Sequence, residues 1–126
     1  MTADAADTDT DAQRRKPIRL SSGEELDDLV ATDDLVLVDF YTKGCTLCQS
    51  IKPVVGNVAR ATDVTVAMLN PRDDLDLVER FNIRSVPTLL LFEDGELVGR
   101  LAEGFQGTDA ILGFVEEHTE KSISAE

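Results

Sequence analysis

The chain's two cysteines, Cys45 and Cys48, stand three positions apart in "DFYTKGCTLCQSIKP", residues 39–53. Such a pair is open to three chemistries. A dithiol can exchange with a disulfide: one thiolate attacks, a mixed disulfide forms, and the second thiol resolves it. Two thiolates can also hold a metal, but structural zinc needs about four ligands. The chain adds a single histidine, His118, far along the sequence, so that set is incomplete and no metal is expected. Third, cysteines can simply fill a core as small apolar side chains.

The flanking elements separate these possibilities. Upstream, "LVLVDFYT" (35–42) is almost wholly apolar or β-branched, as a central strand buried on both faces must be. Downstream, Leu47, Ile51, Val54, Val55 and Val58 form a stripe at helical spacing. A helix should therefore start near Cys45 and run to about Ala61, kinked at Pro53. Cys45 then sits in the first turn, where free N–H groups and the positive dipole end favour a thiolate. Cys48, one turn further in, is shielded and faces the same sulfur. Cys45 is thus expected as nucleophile and Cys48 as resolving thiol. Asp39, inside the buried strand, should titrate high and can take a proton from Cys48 during resolution.

The rest of the chain supplies the other layers. "PIRL" (17–20) can form a short strand, and Ser22 with Glu25 makes a capping box ahead of Leu26, Leu29 and Val30. "VTVAMLN" (64–70) is a second buried strand, followed by a short helix with Leu75, Val78 and Phe81 inward. "TLLLFEDGELVGRLAEG" reads as two strands joined at the turn of residues 93–96. Thr108 should cap a last helix with Ile111, Leu112 and Val115 inward. The order is β-α-β-α-β-α-β-β-α, an α/β fold whose mixed central sheet carries helices on both faces. Residues 1–15 read as a disordered acidic arm, 16–121 as one domain and 122–126 as a tail.

With 25 acidic and 12 basic residues, the chain has a formal net charge of −13. The first thirteen residues hold four aspartates and no base, so the remainder still carries −9. A surface of that sign repels nucleic acid and anionic membranes. It suits a very saline interior, where screening removes self-repulsion while carboxylates keep the surface hydrated. No signal peptide and no span of about 20 apolar residues is evident. A cytoplasmic location is the expectation.

The order of elements, with Cys-x-x-Cys where the central strand meets a helix, resembles the thioredoxin family. "VLVDFYTKGC" resembles that family's strand into the active site, with Asp39 at its buried acid. Pro53 falls where the family kinks the active-site helix, and "IRSVPTLLLFEDGELV" resembles the segment around its cis-proline. The resemblance therefore implies a cis bond at Pro87, with Val86 presenting its backbone to an extended substrate, and places Gly104 on the rim of the groove. It covers residues 18–117. Three positions depart from the family: Thr46-Leu47 replaces Gly-Pro between the cysteines, Gly44 replaces a tryptophan, and Met68 replaces a lysine facing the buried acid. Gly44 should leave the groove more open, and Thr46 and Leu47 join the substrate-facing rim.

The function so implied is thiol–disulfide exchange, reducing disulfides of protein substrates with no cofactor. Electrons would come from a disulfide reductase or a low-molecular-weight thiol, and the protein would act as a monomer. The alternative is a non-catalytic redox sensor or adaptor, in which the Cys45–Cys48 disulfide switches partner binding.

Overall fold

The structure is a computed structural model and describes residues 16–104 and 106–123. The expected acidic arm lies outside the described residues, as do the last three positions of the expected tail. Five strands form one sheet: β1 (Ile18–Leu20), β2 (Leu35–Phe40), β3 (Thr65–Leu69), β4 (Thr88–Glu93) and β5 (Glu96–Leu101). Their spatial order is β1-β3-β2-β4-β5. The first three run parallel, and β4 and β5 are antiparallel additions. Four α-helices accompany them: α1 (Gly23–Thr32), α2 (Thr46–Ala61), α3 (Asp76–Arg80) and α4 (Thr108–His118). A single 3-10 turn, Pro71–Asp73, precedes α3.

Strands β2 and β3 are buried at every residue, which is why both read as unbroken apolar runs. Alternation along β2 divides the interior in two. Leu35 and Leu37 pack with Ile51, Val55 and Val58 of α2 and with Ile111 and Val115 of α4. Val36, Val38 and Phe40 face the other way, onto Leu26 of α1 and Leu77 and Phe81 at α3. Helices thus cover both faces of a mixed sheet, as the order of elements requires. Ile123 is buried in the α2/α4 cluster, and its carbonyl accepts a hydrogen bond from the Asp63 N–H at 3.0 Å.

The capping box at Ser22 is present in part. The Glu25 N–H donates to Ser22 Oγ at 3.1 Å, while Glu25 Oε1 accepts from the Ser21 N–H at 2.6 Å. At the hairpin, Asp94 and Gly95 both have positive φ, 53° and 87°, the backbone of a tight two-residue turn. Two local expectations are corrected. Gly107, not Thr108, occupies the cap of α4, and Thr108 Oγ1 instead accepts from Asn57 Nδ2 at 3.3 Å. In α3 the inward residue is Leu77, 1% exposed, while Leu75 is 69% exposed and Val78 half-buried.

That register has a physical reason. The 3-10 turn and the Asp74 side chain, which accepts from the Gly23 N–H at 2.8 Å, tie the start of α3 to the start of α1. Leu77 then meets Gly23 so closely that a Cβ there would lie 2.9 Å from Leu77 Cδ2. Only glycine admits that contact without a shift. Leu75 precedes the helix and turns to solvent. Accordingly, Leu77→Ala should cost about 2–5 kcal/mol of unfolding free energy. Leu75→Ala should stay within about 0.5 kcal/mol. Urea denaturation of the two variants measures the difference, and equal losses would contradict the register.

Candidate active site

Helix α2 begins at Thr46, and Cys45 is its N-cap, in extended backbone. That position is ordinarily filled by an oxygen-bearing side chain that accepts from the first turn. Here sulfur does so: the Cys48 N–H donates to Cys45 Sγ at 3.1 Å. The turn before it depends on Gly44, whose φ of +80° is a backbone that residues with a Cβ rarely adopt. Gly44 is exposed, with no atom near the place a Cβ would take.

Cys45 and Cys48 are joined in a disulfide with Cα atoms 5.2 Å apart. Cys45 is half-buried and Cys48 only 4% exposed, so the bond is approached from the Cys45 side. Cys48 heads the buried stripe of Ile51, Val55, Val58 and Ala59 that seats α2 on the sheet. Leu47, expected in that stripe, is not part of it. It is 45% exposed, and beside it lies Gly104, where a Cβ would sit 3.8 Å from Leu47 Cδ1. Leu47 therefore belongs to the rim with exposed Thr46, and not to the core.

The Val86–Pro87 bond is cis. It turns the Val86 carbonyl toward the disulfide, with the oxygen 3.8 Å from Cys45 Sγ. Pro87 is buried, and β4 starts at the next residue. The structure thus brings Cys45, Val86, Leu47 and Gly104 to one end of the sheet, where β2 stops and β4 starts. Sequence reasoning did not single out Tyr41 or Gln49, which line a cavity of about 260 Å³ that reaches Cys48. The strand-ending aromatic and the residue after the second cysteine were the available signals.

Asp39 is fully buried in β2. Its register partners are Met68 on β3 and Leu89 on β4, so neither adjacent strand offers a charge. Neither carboxylate oxygen has a hydrogen-bond partner among the described residues. Desolvation alone pushes its pKa from 3.8 up to about 7. Alternation along β2 points it to the α2 side of the sheet, the side from which Cys48 descends.

A helix-capping sulfur, its buried disulfide partner and a cis-proline beside them, on a mixed sheet, define a thiol–disulfide oxidoreductase. Comparison with known proteins agrees. The family model for thioredoxin matches residues 18–117. Thioredoxin of Mycobacterium bovis is 35% identical over 105 residues, covering 82% of this chain and 90% of that protein. Thioredoxin of Chlamydia caviae is 30% identical over 103 residues, covering 81% and 99%. Among solved structures, a point mutant of thioredoxin from Halobacterium salinarum superposes with a TM-score of 0.80 at 38% identity, covering 86% of this chain and 95% of that one. Oxidized mitochondrial thioredoxin 3 from Saccharomyces cerevisiae shares the fold, with a TM-score of 0.73 at 22% identity over 80% and 94% of the two chains. The chain belongs to the thioredoxin family and is a protein-disulfide reductase by class.

The elevated Asp39 pKa fixes the sign of a pH dependence. Between pH 3.8 and about 7 the native state holds a proton that the unfolded chain has released. Stability from this group is therefore greatest below that window and falls as pH rises through it. The full loss is on the order of 4 kcal/mol. Asp39→Asn, neutral throughout, should lose this slope and exceed the parent in stability above pH about 7. Urea titrations of the oxidised proteins at several pH values check it, and parallel slopes in parent and variant would contradict it.

Proposed function

We propose that Cys45 carries the attack and Cys48 the resolution in reduction of protein disulfides. The observation that carries this reading is the sulfur at the α2 N-cap with its partner buried one turn behind. In the reduced protein, Cys45 thiolate attacks a substrate disulfide. The substrate S–S bond breaks, a Cys45–substrate bond forms, and the first substrate sulfur leaves as thiolate. Cys48 then loses its proton, attacks Cys45 Sγ, and expels the second substrate sulfur. Two electrons pass from the dithiol to the substrate, and the Cys45–Cys48 disulfide remains.

Asp39 takes the Cys48 proton in this scheme. Burial brings its pKa to about 7, so the carboxylate is basic enough to accept a proton near neutral pH. The Val86 backbone, beside the sulfur, pairs with an extended substrate, while Pro87 contributes no N–H to compete. Gly44, Thr46, Leu47 and Gly104 form the surrounding contact surface. The cycle is completed by a disulfide reductase or a low-molecular-weight thiol that reduces the Cys45–Cys48 bond. The protein acts as a monomer in the cytoplasm; no described helix is long and apolar enough to cross a membrane. A high-salt milieu fits both the −13 charge and the 38% identity to a Halobacterium salinarum protein.

Dithiothreitol-driven insulin reduction, run at low and at molar salt, tests the activity. Turnover above the uncatalysed rate is expected in at least one condition, and none in either would contradict it. Cys48→Ser should accumulate mixed disulfides at Cys45. Their accumulation on Cys45→Ser, through Cys48, would reverse the two roles.

A further inference from the structure

Twelve basic residues are few against 25 acidic ones, yet they are not evenly spread. Two adjoining cavities, of about 260 and 450 Å³, share Arg19, Lys52 and Met68. The first reaches Cys48 and adds Lys43, and the second continues along α2 to Gly56 and Arg60. Four cations, Arg19, Lys43, Lys52 and Arg60, thus line one continuous groove, all of them exposed. Among the described residues no carboxylate lines either cavity, and none of the four cations pairs with one.

The fold builds this groove from separate parts. Lys52, Gly56 and Arg60 follow at intervals of four on α2 and share one face. Gly56 lies between the two cations, and the Arg60 guanidinium folds back over it, with Nη1 3.4 Å from where a Cβ would sit. Arg19 comes from the edge strand β1, where it lies in register with Met68 on β3. From Cys48 to Arg60 the helix rises about 18 Å. An extended peptide of five or six residues, at about 3.3 Å each, spans that length.

We propose that the groove docks an acidic, extended segment of a disulfide partner, held beside the cysteine undergoing exchange. The inference rests on the exchange reading above and names the partner class for the same site. Carboxylates match four cations that lack carboxylate partners of their own among the described residues. A polyanion the size of a nucleic acid would meet the −13 of the whole chain, whereas a short segment meets the groove alone. At molar salt the screening length is about 3 Å, so contact pairs in the groove persist while long-range repulsion between two acidic proteins is lost.

The test uses disulfide peptides of one length whose cysteine is flanked by five residues that are acidic, neutral or basic. Each is reduced by the full chain and by Arg19→Gln/Arg60→Gln, at about 0.1 M and 1 M KCl. The parent should favour the acidic over the neutral peptide about fivefold in kcat/KM at the lower salt, from pairs of surface strength. The variant should lose most of that preference while reducing the neutral peptide at the parent rate. Equal kcat/KM for acidic and neutral peptides, or an undiminished preference in the variant, would overturn the docking. A cysteine-free acidic peptide gives a second readout by NMR titration, expected to shift the amides of Arg19, Lys52 and Arg60. Free glutamate at matched carboxylate concentration producing the same shifts would overturn the peptide as occupant. If no peptide is reduced at all, the exchange reading falls, and the titration alone decides the docking.

Discussion

One hydrogen bond organises the site: the N–H of Cys48 donating to the sulfur of Cys45 at the head of α2. A helix leaves its first N–H groups without internal partners, and something must satisfy them. At Ser22 and Asn70 a side-chain oxygen does so. At α2 the acceptor is a sulfur, and the same donor that caps the helix stabilises negative charge on it. Capping and activation are therefore one interaction. It requires β2 to end where it does, Gly44 to turn the chain through positive φ, and the stripe from Ile51 to Val58 to hold the helix down.

Asp39 adds the opposing constraint. Its carboxyl is placed where nothing among the described residues neutralises it, between Met68 and Leu89 on the adjacent strands. Ordinary core chemistry would put an apolar side chain there, as the rest of β2 does. The cost of desolvation holds the proton on the group to about neutral pH, which is the property that proton transfer to and from a buried thiol needs. In the proposed mechanism, the stability given up at this one buried position supplies a proton acceptor on the α2 side of the sheet.

Much of this architecture is legible in the amino-acid sequence. The runs at 35–40 and 65–69 are buried on both faces, and a two-faced strand leaves an unbroken apolar signature. The place of Cys45 at a helix start follows from the stripe behind it. Details of register do not follow. In "DDLDLVER" the leucines at 75 and 77 lie two apart, and a five-residue helix is too short for a 3.6-residue period to choose between them. The choice is made by Gly23, more than fifty residues upstream, through a contact no local pattern contains. Leu47 fits the helical stripe by spacing but faces outward beside Gly104, while Cys48, the next residue, is buried. The cationic groove is hidden for a similar reason. Charge counted along the chain shows an acidic protein, and only the pairing of β1 with β3 brings Arg19 beside the α2 cations.

At the centre of the proposed mechanism, the capping sulfur is the reactive one and the buried sulfur its follower. Alkylation of the reduced protein with a limiting amount of iodoacetamide, mapped by mass spectrometry, tests this most directly. Modification is expected at Cys45 first, with Cys48 largely spared until the fold is opened by denaturant. Cys48 labelled first, or both cysteines labelled at one rate in the folded protein, would contradict it.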